Sequence, residues 1–245
     1  MTVFLVGAGP GDPELLTLRA ARLLAIADVV LHDRLVPDEI LALAPLGAEL
    51  IDVGKRPGGS HVQGVINDLL VTLGRSGRTI VRLKGGDPYL FGRGGEEVDA
   101  LVDAGIAYEV VPGVSSAIAG PAAAGIPVTH RSDARAVTIV TGHEAVTSEP
   151  VAWEHLARVG GTIVVMMGVE RRGQIARRLL DGGMDPATPV AVVNDATLPS
   201  QTVLTGSLDE LAGLPARSPA VIVIGAVAAR ASASAELVAE VASGG

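Results

Sequence analysis

The chain has 245 residues, 48% of them hydrophobic and only 2% aromatic, with a formal charge of −8 and no cysteine. That length allows one large domain or two small ones, with cores built from Val, Leu, Ile and Ala. The acidic balance and scarcity of rings argue against a nucleic-acid partner, and the missing thiols exclude disulfides and thiolate metal sites and fit a cytoplasmic protein.

The amino terminus enters an apolar run, Val3 to Val6, with no basic segment or cleavage site ahead of it, so no targeting signal is expected. The loop Gly7-Ala8-Gly9-Pro10-Gly11-Asp12-Pro13 follows. Asp12 and Pro13 predict an N-cap and a first helical residue, and Leu16, Ala20, Leu23, Leu24 and Ala27 share one helical face. The glycines invite a dinucleotide reading, with Asp33 standing where a ribose-binding acid would, after the strand Val29 to His32. That reading fails. Asp12 occupies the sixth position of G-x-G-x-x-G, and Pro10 removes an amide that a pyrophosphate would use.

Strands are predicted next at Leu50–Val53, Thr79–Leu83 and Tyr108–Val111, with helical patterns over Val62 to Leu73 and Glu96 to Val102. This alternation predicts a mostly parallel α/β sheet. The strand at Thr79–Leu83 carries Arg82 among apolar residues and breaks at Gly85-Gly86-Asp87-Pro88. A second cluster, Gly92 to Gly95, leads into a helix opened by Glu96 and Glu97, acids that suit the positive end of a helix dipole. Glycines at the carboxyl end of a strand serve either a long connection or the close approach of a ligand, and in an α/β sheet ligands bind at that edge.

The uncharged stretch Val110 to Thr129 is long enough for a bilayer, but Pro112, Pro121 and Pro127 break it. It reads as a strand end, a turn and a short packed helix, so no membrane partner is expected. A second series of strands follows at Val137–Thr141, Thr162–Met167, Val190–Val193, Thr202–Leu204 and Val221–Ile224. Pro112 to Ser115 is the natural junction, giving domains 1–113 and 114–245. The tail after Arg230 reads as a frayed helix. The histidines His32, His61, His130, His143 and His155 show no H-x-H or H-x-x-x-H spacing, so no metal site is expected. Nor is there a G-x-S-x-G elbow for a hydrolase.

The segments GAGPGDPELLTL, HDRLV, GKR, RLKGGDPYLFGRGGEE, VPGVSSA, AGIPVTHR and TGHE occur in that order. Together they resemble the S-adenosylmethionine-dependent tetrapyrrole methylase family, in its uroporphyrinogen-III C-methyltransferase branch. HDRLV and FGRGGEE separate this branch from relatives that act on later corrin intermediates. The resemblance implies two α/β domains with the methyl donor in a cleft between them, and a homodimer. It implies conversion of uroporphyrinogen III to precorrin-2 by two successive methylations, leaving S-adenosylhomocysteine, on the way to sirohaem or cobalamin.

Carried over by position, the resemblance makes Pro10, Gly85, Gly86, Asp87, Leu90, Ser115, Ser116, Met167 and Ala196 donor contacts, with Ala220 a weaker candidate. It makes Asp33 the general base or cation stabiliser and Lys55 the proton donor. Read without it, Asp33 is a loop-capping acid, Lys55 a solvated charge and Met167 a core residue. Of the 19 basic residues only Lys55 and Lys84 are lysines, and both fall inside the matched segments. A polycarboxylate substrate needs a locally basic site on an acidic protein, for which Arg34, Lys55, Arg56, Lys84, Arg93, His130 and Arg131 are candidates. The chain departs from the family at Gly64, at Met166 and at Ser115-Ser116, where relatives carry Thr-Ala. It has no room for the dehydrogenase-ferrochelatase domain fused to some relatives, so the product is expected to pass to a separate enzyme. Two other readings stand beside this one: a methylase acting on a later corrin intermediate, and a nucleotide-binding module without catalysis.

Overall fold

The computed structural model describes residues 2–54, 62–143 and 151–231. The chain divides into two compact units, Met1–Ser115 and Ser116–Gly245.

In the first unit, β1 (Thr2–Gly7), β2 (Val29–His32), β3 (Glu49–Asp52), β4 (Ile80–Lys84) and β5 (Ala107–Val111) alternate with α1 (Leu18–Leu24), α2 (Asp38–Leu41), α3 (Val62–Gly74) and α4 (Gly94–Asp103). The strands form one sheet in the order β3-β2-β4-β1-β5, parallel throughout. Strand residues two apart share a face. Val6, Val30, Val81 and Leu83 therefore pack on Ala20, Leu23 and Leu24 of α1 and on Ile40 and Leu41 of α2. Val3, Leu5, Val29, Leu31 and Ile80 pack on Ile66, Leu70 and Leu73 of α3 and on Val98 and Leu101 of α4. Each fully buried side chain of this kind contributes about 1.5–3 kcal/mol, which is why an all-parallel sheet is stable only with both faces covered.

One predicted helix is two pieces. Asp12 caps a single 3-10 turn, Pro13–Leu15, its Oδ1 accepting the Glu14 amide at 2.9 Å. The chain then extends at Leu16, and Thr17 starts α1 by accepting the Ala20 amide at 3.1 Å. Two capping side chains five residues apart each end up closing their own turn.

In the second unit, α5 (Ser116–Ala123), β6 (Val137–Thr141), α6 (Trp153–Val159), β7 (Thr162–Met166), α7 (Arg172–Asp181), β8 (Pro189–Asn194), β9 (Thr202–Ser207) and β10 (Ala220–Ile224) follow in order. The sheet runs β6-β7-β10-β8-β9. Only β6 and β7 pair parallel; the other three pairings are antiparallel. The expectation of a mostly parallel sheet, drawn from the strands of the first half, holds for the first unit, and the second unit is mostly antiparallel. Residues 195–201 are too few for a crossover, so β8 and β9 close as a hairpin. Ile163, Val165, Val190, Val192, Ile222 and Ile224 pack on Trp153 of α6 and on Ile175, Ala176 and Leu179 of α7. Arg178 ties α7 to α6 through Glu154 at 2.7 Å, and its hydrogen bonds pull the Glu154 carboxyl down to about 2. Among the described residues no helix is long and apolar enough to cross a membrane.

Candidate active site

The parallel register of the first unit brings the carboxyl ends of its strands to one edge. Gly7 stands beside Lys84, Val6 beside Val111, and His32 beside Leu83. The loops after β1 and β4 are stitched together there. The Ala8 amide donates to the Lys84 carbonyl at 2.7 Å, and Gly9 and Gly86 exchange main-chain bonds of 3.2 and 2.7 Å. A Cβ on Gly7 would lie 2.5 Å from the Gly113 Cα and 2.6 Å from the Gly86 carbonyl oxygen. Gly86 itself sits at φ +67°, where L side chains are strained. Much of the glycine signal therefore serves backbone meeting backbone. Gly85 differs: it is exposed, and a Cβ built on it meets nothing within 4 Å. Gly85 therefore faces open space that a ligand could take.

The other loop candidates have identifiable local duties. Both carboxylate oxygens of Asp87 are engaged, Oδ1 accepting the Tyr89 amide at 2.8 Å and Oδ2 the Gly113 amide at 3.1 Å. This acid clips the β4 loop to the segment leaving β5. Pro10 and Leu90 are half-buried at the same edge. Phe91 and Arg93 adopt left-handed backbone, φ 56° and 58°, as the chain turns into α4.

Asp33 leaves β2 with its amide on the Leu83 carbonyl at 3.2 Å, and its carboxylate is about one-third exposed. Arg82 donates to it from Nη2. Arg82 is almost wholly buried, because β4 turns Arg82 and Lys84 onto the face that α3 and α4 cover. Glu97 of α4, fully buried, receives both: its Oε1 accepts from Arg82 Nε at 3.1 Å and from Lys84 Nζ at 2.9 Å. Its Oε2 has no partner among the described residues.

Burial chiefly, and then the Arg82 charge, hold the Lys84 ammonium below its ordinary value, while Glu97 and Asp33 oppose them. Exposed pairs such as Arg19–Glu109 contribute about 0–1 kcal/mol, whereas breaking one member out of a buried set costs about 3–5 kcal/mol.

Sequence reasoning read Glu97 as a helix-dipole acid and Lys84 as a loop cation for substrate; both are buried instead. The available signal was two cations at i and i+2 in an otherwise apolar strand, which demand an internal counter-charge. Lys55, with Arg56 and His61, lies outside the described residues. Of the other basic candidates, Arg93 pairs with Glu96 at 2.9 Å, His130 sits 3.3 Å from Asp133, and Arg34 and Arg131 are exposed.

In the second unit the antiparallel register sets Met166 opposite Val221 and Asn194 opposite Ala220. Met167, Ala196 and Ala220 thus gather at one sheet edge. Met167 is 52% exposed, so it is not a core residue. Met167, Asp195 and Thr197 all take left-handed backbone, at φ 54°, 45° and 70°. For a β-branched residue this is an outlier, and each such position costs about 1–3 kcal/mol unless its surroundings impose it.

They do impose it. The Asp195 amide donates to the Pro219 carbonyl at 3.0 Å, and the Thr197 amide to Gln201 Oε1 at 2.8 Å. Asp195 Oδ2 accepts from Ser200 Oγ at 3.1 Å and pairs with Arg217, whose amide donates to Asn194 Oδ1 at 3.0 Å. Ala196 is held at the crown of this turn. Ser116 opens α5, whose Gly120 lies close to Ala196 and Val221, while Ser115 ends the first unit.

The family model for Tetrapyrrole (Corrin/Porphyrin) Methylases matches residues 2–212. An S-adenosyl-L-methionine-dependent uroporphyrinogen III methyltransferase of Methanosarcina barkeri is 51% identical, over 92% of this chain and 91% of that protein. A siroheme synthase of Psychromonas ingrahamii is 50% identical over 92% of this chain but 48% of its own length, so the chain spans about half of that relative. The crystal structure of Uroporphyrin-III C-methyl transferase from Thermus thermophilus, complexed with S-adenyl homocysteine, superimposes with a TM-score of 0.82 at 46% identity, covering 93% of both chains. The chain belongs to the tetrapyrrole (corrin/porphyrin) methylase family.

Proposed function

We propose that this chain methylates uroporphyrinogen III twice at ring carbons, using S-adenosylmethionine and giving precorrin-2 and S-adenosylhomocysteine. The observation that carries the reading is the carboxylate of Asp33, left accessible at a strand's carboxyl edge and aimed by a guanidinium that the fold buries. The 51% identity with the methyltransferase from Methanosarcina barkeri, over nearly the full length of both chains, supports the choice of substrate.

When bound, the donor supplies a methyl group already activated by its sulfonium, so the protein's task is alignment and charge management. An electron-rich pyrrole carbon takes the methyl as the carbon–sulfur bond breaks, and the ring is left cationic until it loses a proton. Asp33 steadies that cation and takes the proton. Lys55 attracts the substrate's carboxylates and occupies the family's proton-donor position. The donor contacts assigned by the family resemblance are Pro10, Gly85, Gly86, Asp87, Leu90, Ser115, Ser116, Met167 and Ala196. Within this set Gly86 and Asp87 act by shaping the loop, and Gly85 by leaving room. The enzyme works as a homodimer in the cytoplasm, on a small-molecule substrate, without nucleic acid or membrane.

Anaerobic incubation with uroporphyrinogen III and methyl-labelled donor tests the reading. A product carrying two labelled methyl groups is expected. Labelling only of a later corrin intermediate, or donor binding without transfer, would replace it with one of the two other readings.

A further inference from the structure

We propose that Glu97 is a positioning residue for the methylation, acting on Asp33 through Arg82 from inside the protein. This rests on the reading of Asp33 as the catalytic carboxylate. A guanidinium is planar, so fixing two of its edges fixes the direction of the third. Glu97 Oε1 holds Nε at 3.1 Å, and Nη1 donates to the Leu83 carbonyl at 3.2 Å and reaches the Leu31 carbonyl at 3.5 Å. What remains, Nη2, meets Asp33 Oδ1. One Asp33 oxygen is thereby pinned, and a side chain that is one-third exposed acquires a single orientation.

The placement of Glu97 is costly for a purely structural part. It sits fully buried with two cations on one oxygen and none on the other. Apolar residues of similar size would fill that space with equal or greater stability. The excess is explained if the arrangement sets geometry. Lys84 completes the set, its Nζ 2.9 Å from Glu97 Oε1, so that Asp33, Arg82, Lys84 and Glu97 bring together two acidic and two basic groups.

The test is steady-state methylation by Glu97→Gln, alone and combined with Asp33→Asn. Glu97→Gln is expected to lower kcat by about tenfold to a hundredfold, the scale of a misdirected reacting group, with KM for both substrates unchanged. In the Asp33→Asn background it is expected to do nothing further, because its route to the chemistry is already cut. Should the single variant fail to fold, Lys84→Met/Glu97→Gln removes one charge of each sign, and the same comparison is made from it. Wild-type kcat, or a loss that persists in the Asp33→Asn background, overturns the role of Glu97 while leaving Asp33 in place. Near-normal turnover in Asp33→Asn alone overturns the assignment of Asp33, and this proposal with it.

Discussion

Gly85 and Gly86 are adjacent in sequence and opposite in surroundings: the first faces open space, the second is bonded to Gly9 at left-handed φ. Gly85→Val is therefore expected to fold with the wild-type melting temperature and to weaken donor binding at least tenfold by calorimetry, a loss of about 1.4 kcal/mol or more. Gly86→Val is expected to lower stability by about 1–3 kcal/mol, since a β-branched residue is strained there. Donor affinity unchanged in a folded Gly85→Val protein would take this loop out of the site.

Asp33→Asn preserves size and most hydrogen-bonding geometry but removes charge and basicity. Turnover is expected to fall by about a hundredfold to ten-thousandfold, the usual worth of a general base, with donor and tetrapyrrole still bound. Lys55→Met is expected to weaken tetrapyrrole binding as well as turnover and to spare the donor. Anaerobic steady-state assays and donor calorimetry read both patterns, and normal turnover in Asp33→Asn would return this residue to loop capping.

Arg217→Met removes the partner of an Asp195 carboxylate that is only 10% exposed. Partial exposure of Arg217 itself limits the loss of stability to about 1–3 kcal/mol. Because the turn it braces presents Ala196, donor affinity is expected to fall about tenfold while kcat at saturating donor stays within a factor of about two. An unaltered dissociation constant would separate the strained turn from donor binding.

Acid should release the brace between α6 and α7. The Glu154 carboxyl is lowered from 4.5 to about 2 by its hydrogen bonds to Arg178, so its contribution is complete above 4.5 and drains away as pH falls toward 2. Glu154→Gln lacks that contribution throughout. The gap in melting temperature between the two proteins is expected to be full at about pH 6 and to narrow by about pH 3. A gap independent of pH would assign the effect to packing.

What could be read from sequence divides by the range of the interactions concerned. Strands such as Val29–His32 and Val137–Thr141 were legible to the residue, because alternation and β-branching are local properties. The loop glycines were legible as a site but not as separate roles, since Gly86 meets Gly9 across a strand pairing that no spacing reveals. The burial of Glu97 was hidden for a related reason. In sequence it opens a helix with Glu96, and only the packing of α4 over β4 distinguishes the inward acid from the outward one. The turn around Ala196 was found by resemblance alone, because backbone strain at Asp195 and Thr197 leaves no mark on composition.

The parallel pairing of the first sheet also sets an order of events on the ribosome. Val3 bonds across to Ile80 on one side and Tyr108 on the other, so β1 is synthesised well before either of its neighbours. Until β4 and β5 emerge, β1 waits with both edges open, the state in which nascent chains stick to one another. The second sheet carries less of that exposure, for β8 and β9 lie seven residues apart and can pair almost as soon as both are made. Crowded synthesis should therefore punish substitutions that slow the early half of the chain more than equal losses of stability in the later half.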